Sequence, residues 1–264
     1  MIFSTFTSTL PSWWLFLLIV GSIVGCTCLG LLLQRRNKKR FEDEDEGKVV
    51  QSALTYLGSM YGVLLALMIL NAQTKYTAAD MTVTNEAAAI MAAARDSTAL
   101  PQPLRGEVQG QLRLYTSLVL SDDWPVISAG HQDNQKPMKA SIQLNTLWVR
   151  YGAQIARAPL GSSLMSSLNT ISTQRAQRFA LSRRGLPDSL WLLLGVGTFA
   201  ILYLATSLRI KDFKQHVLMV LCISTPMSIF LWLVADLDNP FGGTLQVSSS
   251  AFVHALQVLN ALPH

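Results

Sequence analysis

Few side chains in this sequence stand where chemistry would need them. The histidines His131, His216, His254 and His264 are scattered, with no metal-ligand spacing. Cys26 and Cys28 would face different sides of a helix, and Cys222 is remote from both. All three cysteines fall in apolar runs, so neither a metal pair nor a disulfide framework is implied. No Gly-x-Ser-x-Gly elbow, phosphate loop or His-Glu-x-x-His helix occurs. Asp122 and Asp123 stand together before Trp124 and Pro125. Paired carboxylates can hold a cation or exchange protons, but the preferred reading here is a solvated turn or helix cap. No catalytic residue, metal or cofactor is expected, and the chain does not read as an enzyme.

A polar face inside an apolar helix is the other candidate. Ser52, Thr55, Ser59, Gly62 and Ala66 recur at steps of three and four, and Tyr56, Met60, Val63 and Leu67 form a second stripe beside them. Gln51, Asn71 and Gln73 extend the polar face at both ends. Small residues in a membrane helix let another helix approach closely; the same residues can line a water-filled pore. Both readings stand. Under the second, Ser52, Thr55, Ser59, Gly62, Ala66, Ile69, Leu70 and Gln73 line the path, and Ile69 and Leu70 form an apolar constriction that gates by dewetting.

The elements that must position this face are membrane helices. Of 264 residues only 14% are charged, against about 25% in soluble domains, and half are apolar. A bilayer core of roughly 30 Å needs about 20 apolar residues. Ser12 to Leu33, Val49 to Leu70, Leu190 to Leu208 and Val217 to Ala235 carry no charge and meet that length. The first run lacks a basic leader and is too long for a cleaved signal, so it reads as a permanent span. No ionisable residue lies within a span, which removes the usual mark of a proton-coupled transporter. Pro226 interrupts the fourth span as a kink or hinge.

Orientation follows from the basic residues. Arg35, Arg36, Lys38, Lys39, Arg40 and Lys48 lie in the first short loop and Arg209, Lys211 and Lys214 in the last, while the two terminal tails have none. The short loops are expected in the cytoplasm, with both termini and the long middle segment outside. Arg175, Arg178, Arg183 and Arg184 in that segment count little in such a rule. In a bacterium the membrane would be the inner one. The acidic run Glu42 to Glu46 reads as a solvated loop.

The middle segment, Asn71 to Pro187, is too long to lack structure. Pro101, Pro103, Pro125, Pro137, Pro159 and Pro187 cut it into helix-sized pieces. Asn71 to Ser97 has no Pro or Gly, so Val49 to Ser97 is expected as one helix of about 70 Å. Three apolar stripes follow at helical spacing: Leu104, Val108, Leu112, Tyr115 and Leu118; Met138, Ile142, Leu147, Tyr151 and Ile155, with Trp148 beside them; and Leu160, Leu164, Leu168 and Ile171, leading toward Phe179. The expected fold is an all-α membrane protein: four transmembrane helices with an extramembrane helical bundle inserted between spans two and three. Its parts are residues 1–70, two spans joined by the charged loop 34–48; 71–186, the bundle; 187–236, two further spans; and 237–264, an exit motif with a short C-terminal amphipathic helix.

That exit motif, Asp236 to Gly243, is a tight turn with Asn-Pro at its start and two glycines. Leu237, Asp238, Pro240, Phe241 and Gly243, continued by Val247 and Ser248, resemble the Leu-Asp-x-Pro-Phe-x-Gly stretch of the bestrophin-like domain family, a four-span membrane family. Tyr61-Gly62-Val63-Leu64-Leu65-Ala66 is similar to its second span, and Glu86-Ala87-Ala88 to its helical extension. Arg105, Tyr115 and Asp123-Trp124-Pro125 are similar to its next helix and turn. The likeness covers Val49 to Ala255. Asn239 stands where members often carry Arg, so any anion-attracting role of that Arg is absent.

The resemblance implies a likeness to bestrophins, pentameric chloride channels whose helical region is cytoplasmic. The basic-residue count places that region outside, and the count is the reading kept. No acidic residues match the bestrophin calcium clasp, so no calcium site is carried over. Two functions follow: a homo-oligomeric ion channel in lipid, pentameric by that analogy, or a membrane-anchored scaffold or sensor whose bundle binds a partner protein. Nucleic acid is not an expected partner.

Overall fold

The structure, a computed structural model, describes residues 12–36, 44–128, 138–183, 185–208, 210 and 212–262. Lys38, Lys39, Arg40, Glu42, Asp43, His131, Pro137, Arg184, Arg209, Lys211 and His264 lie outside the described residues.

The described residues are helical and contain no strand. Helix α1 is Ser12–Arg36 and α2 is Glu44–Asp96, followed by a 3-10 turn, Ser97–Ala99. Then come α3 (Leu104–Leu118), a π-helical turn (Val119–Asp123), α4 (Trp124–Ser128) and α5 (Met138–Ile155). Next are α6 (Gly161–Arg183), α7 (Asp188–Ser207), α8 (Phe213–Asp238) and α9 (Ser250–Ala261). The second helix, which holds no Pro and no Gly after Gly62, is unbroken for 53 residues, about 80 Å at 1.5 Å per residue. It begins at Glu44, earlier than Val49. The second half of the acidic run is therefore helix and not loop.

By length and composition, Gly47–Ala99, Gly161–Ser207 and Phe213–Asp238 can cross a membrane, and Leu17–Leu32 is a shorter apolar helix. Pro226 sits within α8, which continues through it.

The chain divides into two compact units. The first holds α1, α2 up to Thr74, α7, α8 and Gly243–Leu245. Tyr61 and Leu65 of α2 pack there with Leu194 and Ile201 of α7 and with Leu231 and Val234 of α8. The second unit holds α2 from Lys75, α3 to α6, Asn239–Gly242 and α9. Its core joins Val83, Ala87 and Ile90 to Val108, Leu112 and Tyr115, to Leu164, Leu168 and Ile171, and to Phe241 and Phe252.

Two of the expected stripes shift. Ile142 is exposed, and the buried face of α5 is Ala140, Leu144, Leu147, Tyr151 and Ile155. At 100° per residue Ile142 lies nearly opposite Ala140. Leu160 is exposed as well, because it belongs to the turn before α6 and adopts φ 57°. The next residue, Gly161, has no room for a side chain: a Cβ there would overlap the Ile155 carbonyl.

Candidate functional site

The polar stripe of α2 is where the spacing puts it. Ser52, Thr55, Ser59, Gly62 and Ala66 fall within about 80° of arc, and all are exposed. A Cβ on Gly62 would meet nothing within 4 Å, so among the described residues no other helix packs against it. Each hydroxyl donates to the helix's own backbone: Ser52 Oγ to the Lys48 carbonyl (2.9 Å), Thr55 Oγ1 to Gln51 (2.9 Å) and Ser59 Oγ to Tyr56 (2.8 Å). The outward side of each oxygen therefore presents lone pairs. Leu70 and Gln73 are exposed on the same face, whereas Ile69 is half-buried against the chain's own core. Tyr56, Met60, Val63 and Leu67 are exposed alongside.

The opposite side of α2 is locked to α7. The Tyr61 hydroxyl donates to the Leu194 carbonyl (2.9 Å) and hydrogen-bonds to Thr198 Oγ1. Its ring lies against Gly197, where a Cβ would overlap it. The sequence flagged Tyr61 only through its family resemblance and did not flag Gly197.

The exit residues serve as caps and core. The Asp236 carboxylate accepts the backbone N–H of Thr244 (2.7 Å) and Leu245 (2.9 Å). Gly243 is required there, since a Cβ would stand 2.8 Å from both the Asp236 carbonyl and Oδ1. Asp238 accepts the Leu186 N–H at 3.0 and 2.9 Å, just before α7 begins. In the second unit, Pro240 accepts from Val247 N (2.8 Å). Phe241 is buried edge-on to Trp124, which is also edge-on to Phe252.

A third arrangement lies inside the second unit and was not anticipated. Arg178 is wholly buried. Its Nε donates to Glu86 Oε2 (2.8 Å), and its Nη2 donates to Glu86 Oε1 (3.1 Å) and Asp123 Oδ2 (3.2 Å). Tyr115 donates to Glu86 Oε1 at 2.6 Å. Arg175 grips Asp123 through Nε (3.0 Å) and Nη2 (3.3 Å). Among the described residues, Nη1 of Arg178 has no hydrogen-bond partner. The rings of Phe179 and Phe252 lie 5.3 and 5.4 Å from the guanidinium carbon, within cation–π range.

Burial raises Asp123 above the ordinary carboxylate range against the pull of both arginines. Burial and the Glu86 carboxylate raise Tyr115 well above its usual value, which keeps it a neutral donor. The Glu86 charge and hydrogen bond outweigh the cost of burial and hold Arg178 firmly protonated.

The Asp122–Asp123 pair is therefore not a solvated turn. Asp123 closes the π-helical turn facing inward, while Asp122 pairs with Lys139 at 3.1 Å nearer the surface. The two carboxylates have different partners and share no site. The signal for Arg175 and Arg178 was present in the sequence. They continue the steps of Leu164, Leu168 and Ile171 by four and then three, so they had to point into the core.

The described residues hold no group of three or more His, Cys, Asp or Glu able to bind a metal ion. His216 Nε2 lies 3.2 Å from the Ala205 carbonyl, within the first unit.

A model of the bestrophin-like domain matches residues 20–252. Among solved structures, the chain is similar to a bacterial bestrophin homologue from Klebsiella pneumoniae, crystallised as a single-substitution variant. The TM-score is 0.65 and the identity 11%, over 92% of this chain and 97% of that one. At such identity the likeness speaks for the fold. No curated protein matches the sequence. The apolar helices mark the chain as an integral membrane protein, and a family match over most of its length makes it a member of the bestrophin-like domain family.

Proposed function

We propose that the protein is a homo-oligomeric ion channel in which the second spans surround the symmetry axis. The supporting observation is the stripe Ser52, Thr55, Ser59, Gly62 and Ala66, which stands exposed among the described residues. Small hydroxyl residues wet a path without the cost of burying a charge. In this reading α1, the membrane part of α2, α7 and α8 are four spans, and the second unit is an extramembrane bundle inserted between spans two and three. The short loops face the cytoplasm and the termini lie outside. Leu70 gives the outer end of the path an apolar constriction, with Ile69 at its edge.

Enlarging Ser59 or Gly62 to Leu tests this reading. Loss of current from an oligomer of unchanged size supports a pore. Dissociation of the oligomer means that the stripe packs helices between copies. A scaffold is the second reading, favoured by Ile142 and Val149, which stand exposed on the outer face of α5, Val149 at 89%. No reaction chemistry enters either account.

A further inference from the structure

Helix α2 is unbroken from Glu44 to Asp96, so its faces can be followed by counting along it. Eighteen residues make about five full turns. Ser59, Gly62 and Ala66 therefore return at Thr77, Asp80 and Thr84, and these three are exposed as well. The buried residues of this stretch, Ala79, Val83, Glu86 and Ile90, lie on the other side.

Charge is scarce on the helix. Between Val49 and Ala94 it carries Lys75, Asp80 and Glu86 and no other charged residue. Glu86 points inward to Arg178. Lys75 is half-buried, about 140° round the helix from Asp80. Asp80 is thus the one charge in that range on the exposed face. Among the described residues its carboxylate has no ion-pair or hydrogen-bond partner, so no neighbouring cation cancels its field. The next charge on the face is Arg95, in the last turn. It lies roughly 22 Å further along the helix, more than two Debye lengths at about 8 Å each in physiological salt.

We propose that Asp80 sets the charge selectivity of the pore: around the symmetry axis its copies form a ring of carboxylates that concentrates small inorganic cations and turns chloride away. The inference rests on the second spans surrounding that axis. The hydroxyls of Ser52, Thr55 and Ser59 offer an ion partial charges only, whereas each Asp80 offers a whole one, and rings of carboxylates select cations in this way. Asp80 lies about 15 Å along the helix beyond Leu70, so the ring acts outside the apolar constriction, where ions still carry their water.

The test is the reversal potential of purified full-length protein in planar bilayers under a potassium chloride gradient, with oligomer size checked by size exclusion. Wild type should reverse toward the potassium equilibrium potential. Asp80→Asn should lower the potassium-to-chloride permeability ratio by roughly fivefold or more, the factor that one unit charge at contact distance is worth in water. Asp80→Lys should carry the reversal potential past zero. In a background without Cys26, Cys28 and Cys222, Asp80→Cys should regain cation preference with an anionic methanethiosulfonate reagent and lose it further with a cationic one. Currents that reverse at the wild-type potential in both Asp80→Asn and Asp80→Lys overturn the role of Asp80 and leave the pore standing. A thiol whose modification leaves the potential unchanged does the same. Dissociation of the Asp80→Asn oligomer also overturns the role, since the carboxylate would then be holding copies together. An intact wild-type oligomer that passes no current overturns the pore reading, and this inference with it.

Discussion

Replacing Arg178 with Met is the most informative single perturbation of the second unit. The arginine supplies three of the hydrogen bonds to Glu86 and Asp123 and is wholly buried. Methionine has comparable length and no charge, so among the described residues Glu86 would keep the Tyr115 hydroxyl and Asp123 would keep Arg175. Removing one partner of a buried ion pair costs about 3–5 kcal/mol, a large share of a typical total of roughly 5–15 kcal/mol. At about 2–4 °C per kcal/mol for a chain of this size, the melting temperature should fall by roughly 6–20 °C in a detergent thermal-unfolding assay. The double variant Glu86→Gln with Arg178→Met removes both charges and leaves Tyr115 an amide oxygen to donate to. It should recover at least half of the loss, since neutral packing replaces buried ion pairs at little or no cost. A single variant within about 2 °C of wild type, or a double variant no better than the single, would refute the claim that these charges hold one another.

Further outcomes follow from other contacts. Gly197→Ala drives a Cβ into the Tyr61 ring and should cost about 1–3 kcal/mol, as overpacking does, with partial relief from Tyr61→Leu. Asp236→Ala frees the N–H groups of Thr244 and Leu245 and should destabilise by about 2 kcal/mol; adding calcium to wild type should not change its melting temperature if the carboxylate is a cap alone. Burial sets the folded proton affinity of Asp123 above its unfolded value. Between those two values the folded chain holds the extra proton, so stability contributed by this group rises as pH falls through the window and is lost as pH rises through the folded pKa. Melting curves against pH should therefore lose that slope in Asp123→Asn. In a background without Cys26, Cys28 and Cys222, thiols introduced at Ser8 and Ser249 should react with an impermeant reagent in intact cells and one at Asn37 should not; the reverse pattern inverts the topology. If the hydroxyls of the stripe line a pore, their outward lone pairs make the current cation-carried, which a reversal potential in a salt gradient reads directly.

Much of this was legible from periodicity. The uninterrupted second helix follows from the absence of Pro and Gly between Asn71 and Ser97. The stripe Leu104, Val108, Leu112 and Tyr115 is buried as its spacing demands. Ile142 misled because an apolar residue was read into the nearest stripe, although α5 turns it away from Ala140 and Leu144. The ion cluster stayed hidden for a different reason. Charge led Arg175 and Arg178 to be weighed only as basic residues in the orientation rule, and their register with Leu164, Leu168 and Ile171 was not followed. Residues 86, 123 and 178 meet only through tertiary packing, and no local pattern records such a meeting. Asp123 was read with Asp122 because they are adjacent, yet neighbours on a helix point about 100° apart.

The central claim is conduction by an intact oligomer around the second spans. It is tested most directly by purified wild-type protein of verified oligomeric state in planar bilayers, recorded over a range of pH, voltage and calcium. The account predicts discrete currents that Ser59→Leu abolishes while the oligomer remains the same size. An intact oligomer silent under every condition would contradict it.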